Sequence, residues 1–270
     1  MLSKLIKHEF RATARIMWPI FGGMLILTVL TRFGAFEVLD HFGSFLLNAL
    51  SIITIIAFFM GMFALAFAPL IASCARFKQS LLGNNGYLTM TLPVSTNQLL
   101  LSKLITNAVW YAATAVLALL ITAVFFGVDL ESLGDIGRLL SDLYTGLRAL
   151  ESEELFHLIF ILFELLINVV TGITLATLVV YASFAIGYSA NKRKTLWTVL
   201  LIYGFAHVVS FVGVTTLIFF GNGSDRWTSF MVGVQGFESF LAIAFAVMLL
   251  LGAVFYLITH YFITHKLNLE

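Results

Sequence analysis

Four residues of one apolar stretch carry groups that bind protons or line a polar path. His157, Glu164, Asn168 and Thr171 are spaced 7, 4 and 3 apart, which puts them on one face of a helix. Glu164 stands between Phe163 and Leu165. A carboxylate at mid-bilayer costs about 2.5–3.5 kcal/mol on insertion scales, so it must face protein or water. The stripe reads as the lining of a translocation path or a subunit interface. It reads equally as the wetted end of a long helix that projects past the hydrocarbon. A proton relay needs a second buried ionisable partner, and His207 is the near-central candidate. A lone histidine otherwise makes one structural hydrogen bond. Tyr203, His207 and Ser210 form a similar stripe, as do Asn48 and Ser51; small and hydroxyl residues at such spacing usually pack helices together.

Other chemistries fail on spacing. His8-Glu9 lacks the second histidine of a zinc protease, and no Gly-x-Ser-x-Gly or paired membrane aspartates occur. Glu153-Glu154 is an acidic pair without a matching ligand set. No Gly-Lys-Ser/Thr phosphate cradle is present, so the chain cannot hydrolyse ATP by a P-loop mechanism. Cys74 is the single cysteine, which excludes an intrachain disulfide and a Cys-rich metal site. The reading is therefore of a chain that is not itself an enzyme and carries no cofactor or metal.

The elements that must hold these residues follow from composition. The 270 residues are 60% apolar, and 15 basic with 14 acidic residues make only 11% charged. An ordinary soluble domain carries about 25%. Mean hydropathy is +1.01. A soluble enzyme, a disordered chain and a disulfide scaffold are excluded, and a net charge of +1 provides no basic field for nucleic acid. An integral membrane protein remains. Six continuous apolar stretches, at about 18–36, 42–75, 104–128, within 155–188, 196–220 and 237–264, each suffice for a spanning helix. Continuous runs without period-two alternation exclude a β-barrel. The expected fold is all-α, a single transmembrane domain over 1–270 with six helices. The second stretch would make a helix of about 51 Å against about 30 Å of hydrocarbon, and Pro69 is its expected kink or end.

Charge sets the orientation. Lys4, Lys7, Arg11, Arg15, Arg76, Lys78, Lys103, Lys192, Arg193, Lys194 and Lys266 fall on one side; Arg32, Arg138, Arg148 and Arg226 fall on the other. The positive-inside rule places the first group, and both termini, in the cytoplasm. Lys192, Arg193 and Lys194 form a second cytoplasmic contact or a topology determinant beside anionic headgroups. The outer segment 129–154 is acidic, and Leu133, Ile136, Leu140, Leu143, Leu147 and Leu150 repeat there at helical spacing. An amphipathic helix with an acidic outer face is expected, lying on the surface or against a second subunit. Its acids either attract cationic cargo or are simply solvated. The basic start lacks the small-residue cleavage site of a signal peptide.

Two further segments are informative. In residues 1–17, Leu2, Leu5, Ile6 and Phe10 make an apolar stripe, with Lys4, Lys7, His8, Arg11 and Arg15 largely off it. This predicts a basic amphipathic helix in the bilayer interface, with Pro19 allowing a sharp turn into the first span. The alternative is a basic flank that only fixes topology. Residues 76–103 read RFKQSLLGNNGYLTMTLPVSTNQLLLSK. Gly83-Asn84-Asn85-Gly86 makes a turn, and Ser95 or Thr96 can cap a helix that continues through Lys103. The loop between carries Tyr87, Leu88, Thr89, Met90, Leu92, Pro93 and Val94, apolar enough to need a partner surface or lipid.

That loop, a tyrosine and threonine followed by Leu-Pro, Val-Ser and a lysine at the start of a span, resembles the membrane subunits of type-2 ABC exporters. The N-terminal elbow helix and the six-span layout with both termini inside are also similar. In residue pattern the likeness covers residues 86–103 and the N-terminus; in layout it covers the chain. The segment 129–154 is longer, and the loop 221–236 shorter, than the family pattern. The resemblance implies that Tyr87, Leu88, Thr89, Leu92, Pro93, Val94 and Ser95 dock on a separate ABC ATPase, present in two copies. Those ATPases would carry ATP and Mg. It also implies a second permease subunit, identical or not, in a bacterial plasma membrane. The cargo would be hydrophobic or amphipathic, with a peptide preferred. The competing expectations are a proton-coupled secondary transporter that uses Glu164 and a non-transporting immunity or scaffold protein.

Overall fold

The computed structural model describes residues 2–35, 45–82, 94–125, 141, 144–146, 148, 150–190, 193–221 and 234–265. They form six long helices: α1 Leu2–Leu30, α2 Phe45–Phe77, α3 Thr96–Phe125, α4 Ser152–Ser189, α5 Lys194–Gly221 and α6 Val234–His265. Each is long and apolar enough to cross a membrane. π-type turns, Thr31–Ala35 and Lys78–Leu82, extend α1 and α2. No strand occurs among the described residues. This is the architecture of a multi-pass membrane protein, because only intrahelical bonds can satisfy such a backbone in hydrocarbon.

The expectation at Pro19 is corrected, and of the kink or end expected at Pro69 the end is excluded. Pro19 lies inside α1, so the elbow is not a separate helix but the first four turns of one continuous element. Pro69 lies inside α2 and is fully buried, so α2 does not end there. A proline removes one backbone donor and crowds the carbonyl four residues earlier. Breaking the helix in an apolar medium would orphan more groups than that, so both helices continue.

Hydroxyls inside the helices bond back to their own backbone. Thr28 donates to the Met24 carbonyl at 2.7 Å, Ser183 to Val179 at 2.7 Å and Thr259 to Phe255 at 2.7 Å. This removes their polarity from the lipid without requiring a partner helix. The large exposed apolar side chains, such as Phe63 and Leu119, would be a liability in water; on a spanning helix they meet lipid.

The helices form two compact units. The first comprises Met1–Arg76 and Ile105–Arg148. Its core joins Met17, Phe21 and Met24 of α1 to Phe58, Leu65, Ala68 and Ala72 of α2 and to Trp110, Leu117 and Ile121 of α3. Trp110 stacks on Phe10 with centroids 4.7 Å apart and meets Phe21 edge-on at 5.9 Å. Glu9 pairs with Arg76 at 3.6 Å. The first turns of α1 therefore lie beside the last turn of α2.

The second unit comprises Phe77–Leu104 and Ala149–Glu270. Leu175, Leu178, Val179 and Ala182 of α4 pack with Phe255 of α6, flanked by Phe205 and Val209 of α5. Residues paired between α4 and α6 climb together: His157 with Glu238, Asn168 with Leu241 and Leu178 beside Gly252. The two helices therefore run parallel. Glu151 and Glu154 start α4, with the Glu151 backbone N–H donating to the Glu154 carboxylate at 3.2 Å. Glu153 and Glu154, the acidic pair of the sequence, are first-turn residues there, where carboxylates complement the helix dipole.

Candidate functional site

The segment that resembles a coupling loop has well-defined roots. Tyr87, Leu88, Thr89, Leu92 and Pro93 lie outside the described residues. Val94 is a half-buried bend and Ser95 an exposed residue at the start of α3. The Gln98 N–H donates to Ser95 Oγ at 3.4 Å, and the Leu99 N–H to the Ser95 carbonyl at 3.2 Å. Of the two candidate caps, Ser95 is the one used, and Thr96 is the first helical residue. Lys103, nearly completely buried, donates from Nζ to Ser80 Oγ at 2.7 Å. This bond ties the stalk leaving α2 to the stalk entering α3. The stalks are also held by the other helices. The Tyr256 hydroxyl of α6 donates to Asn97 Oδ1 at 2.9 Å. Phe77 stacks on the fully buried Tyr181 of α4, centroids 4.1 Å apart, and Lys78 Nζ lies 5.9 Å over the Tyr188 ring. The two stalks are thereby joined to each other, to α4 and to α6.

A second polar cluster sits near the N-terminal ends of α4 and α6. His157 Nδ1 meets Glu238 Oε1 at 2.7 Å, an ion pair whenever the imidazole is protonated. Asn168 Nδ2 donates to the Glu164 carbonyl at 2.9 Å and to the Leu241 carbonyl at 3.2 Å. Glu164 Oε2 and Asn168 Oδ1 are buried without a hydrogen-bond partner. Thr171 only returns a bond to the Ile167 carbonyl. His157 and Asn168 thus bond to α6, and Glu164 stands between them on the same face of α4. Glu238 was the ionisable residue that stripe analysis missed: it lies at the head of the sixth apolar run, two residues beyond Gly236, where the same reasoning that singled out Glu164 applies.

His207 does not join this cluster. It is exposed on α5, and its ring meets the Tyr203 ring edge-on, centroids 4.2 Å apart. Tyr203 and Ser210 are exposed as well. In the single chain this stripe faces outward, because α5 turns Phe205 and Val209 toward α4 and α6 instead. Lys192 lies outside the described residues. Arg193 is exposed with φ 54°, and Lys194 opens α5, its carbonyl accepting from Thr198 Oγ1 at 2.9 Å. Most of the acidic segment 129–154 is outside the described residues; Tyr144–Gly146 is helical, and Arg148 lies 4.9 Å over the Tyr144 ring. No group of three metal-ligating side chains occurs among the described residues.

No protein-family model, curated protein or solved structure matches the chain.

The His157–Glu238 contact is measurable by a double-substitution cycle. Its two side chains are only partly exposed, and a charge-assisted hydrogen bond there is worth about 1.5–3 kcal/mol. His157→Leu and Glu238→Leu should each lower the unfolding temperature in detergent, and the double variant should lose clearly less than the sum of the two. Strict additivity would remove the contact from the account.

Proposed function

We propose that the chain is the permease subunit of a type-2 ABC exporter, with N- and C-termini in the cytoplasm. The observation that carries this reading is the tied root of the loop: Lys103–Ser80 binds the two stalks to each other, Asn97–Tyr256 binds the α3 stalk to α6, and Phe77–Tyr181 binds the α2 stalk to α4. A loop meant to receive motion from a docked ATPase needs such stalks, since a floppy root would absorb the stroke. The loop's apolar residues Leu88, Leu92, Pro93 and Val94 offer the docking surface, with Tyr87, Thr89 and Ser95 beside them. ATP and Mg belong to the partner ATPases. A second permease subunit would complete a path, and the outward polar stripe of α5 supports an uncovered face in the single chain. The first turns of α1, with their cationic face, would lie at the cytoplasmic interface. The cargo would be hydrophobic or amphipathic, a peptide being preferred.

The test is a mild-detergent pull-down from the native host. A stoichiometric P-loop ATPase should co-purify, and Leu92→Ala with Pro93→Ala should lower transport-linked ATP hydrolysis at least tenfold while the chain still inserts. Unchanged coupling in that variant would sink the docking assignment. A second reading is a proton-coupled transporter using Glu164. Glu238 favours it, because it supplies the second ionisable group that such a relay needs. Proton-driven solute uptake by the chain alone in liposomes, abolished by Glu164→Gln, would establish this reading in place of the first.

A further inference from the structure

The charges of α1 are sorted by the fold in a way that hydrophobic pattern alone does not reveal. Glu9 is the one acidic residue of α1. It turns inward, with only 12% of its side chain exposed, and pairs with Arg76 at 3.6 Å. Lys4, Lys7, His8, Arg11 and Arg15 are all exposed. At 100° per residue, these five side chains fall within about 100° of one another on the helix. Trp18 falls within the same arc and is 65% exposed. The buried residues Thr13, Met17, Phe21, Met24 and Thr28 occupy the opposite side. The outward face of the first four turns therefore carries four cations and one histidine, without an acid, and ends in an indole.

Length says where that face sits. From Trp18 to Ala35 the helical segment is about 25 Å long, close to the hydrocarbon thickness of about 30 Å. Trp is favoured at the boundary between hydrocarbon and headgroups. Arg15 then lies about 5 Å beyond that boundary, at headgroup depth, and Arg11 about 10 Å beyond it, at the outer edge of the headgroups, with Lys7 and Lys4 farther out in water. Arginine pairs with phosphate through two parallel N–H bonds, and lysine adds a point charge.

We propose that the face formed by Arg11, Arg15 and Trp18 is a binding site for anionic phospholipid headgroups, with Lys7 and Lys4 adding longer-range attraction from the water side, kept free of competing charge by the inward Glu9–Arg76 pair. The occupant is lipid phosphate rather than an acidic protein, because the stripe continues without a break into the apolar part of the same helix at Trp18. A bound lipid would lay its headgroup on the cations and its acyl chains along exposed Leu25, Ile26 and Val29.

The full-length chain is reconstituted in nanodiscs of equal parts phosphatidylglycerol and phosphatidylcholine, then extracted gently, and the retained lipids are identified by native mass spectrometry. Several-fold enrichment of phosphatidylglycerol is expected in the wild type. Lys4→Gln/Lys7→Gln/Arg11→Gln/Arg15→Gln should return the ratio to that of the bulk. Should that variant fail to fold, Arg11→Gln and Arg15→Gln singly should each lower enrichment by up to about fivefold. Added phosphatidylglycerol should also raise the unfolding temperature of the wild type in phosphatidylcholine-detergent micelles, and 0.5 M salt should remove most of that gain. Enrichment that survives all the substitutions, or equal retention of both lipids by the wild type, overturns the proposal. So does an acidic protein that co-purifies in place of lipid and is lost with the four cations. None of these readouts depends on an ATPase, so failure here is distinguishable from failure of the exporter reading.

Discussion

Trp110→Ala is expected to lower stability by about 3–5 kcal/mol, the range for deleting a fully buried large aromatic. Trp110 is nearly completely buried in the first unit, stacked on Phe10 and edge-on to Phe21. Both partners belong to α1, one on each side of Pro19. The indole is therefore the wedge that holds the N-terminal turns and the apolar turns of α1 against α3. Between spanning helices the driving force is packing rather than removal of apolar surface from water. A cavity here loses dispersion contacts that lipid tails cannot replace inside the bundle. Among the described residues the buried indole N–H has no hydrogen-bond partner, so no bond there offsets its burial. Trp110→Phe keeps a stacking ring and removes that orphan donor. It should cost less than about 1.5 kcal/mol, in line with a conservative core exchange. Thermal unfolding of both variants in one detergent checks the pair of values. Equal losses would mean that the N–H rather than the ring matters, contrary to this account.

The long apolar runs made the six helices legible, because in hydrocarbon a continuous apolar stretch has one way to satisfy its backbone. The stripe His157, Glu164 and Asn168 was legible for a related reason: polar residues at helical spacing in an apolar run must share a partner. Which partner was not legible, since Glu238 lies 81 residues from His157 in sequence and helix-to-helix register leaves no mark on periodicity. The Lys103–Ser80 bond was hidden likewise. Lys103 read as a topology charge at a span boundary, and nothing in its neighbours announces that it is buried. His207 misled in the opposite direction. A polar stripe on a helix marks a face that needs covering, yet it does not say whether the cover comes from the same chain, and here the chain leaves it outward. At Pro19 and Pro69 local propensity pointed to breaks, and the demand for hydrogen-bonded backbone overrode it.

Gly187→Ala should be the most damaging small change in the second unit. On propensity alone the substitution would stabilise α4 by about 0.8–1.0 kcal/mol. The fold reverses that sign. A Cβ at position 187 would lie 2.8 Å from the backbone N and 2.9 Å from the Cα of Thr198, and closer still to Thr198 Oγ1. Side-chain atoms could rotate aside, but the backbone of α5 cannot. The last turns of α4 and the first turns of α5 would have to separate. Overpacking of this kind costs about 1–3 kcal/mol. The connection gives little slack: Ala190 closes α4, Arg193 takes a left-handed conformation and Lys194 already opens α5. Gly187→Ala is thus expected to lower the unfolding temperature by several degrees despite its better helix former. Thr198→Gly in the same chain should relieve only the side-chain part of the clash and leave most of the loss. Full rescue by Thr198→Gly would show that the hydroxyl, and not the approach of two backbones, makes glycine necessary at 187.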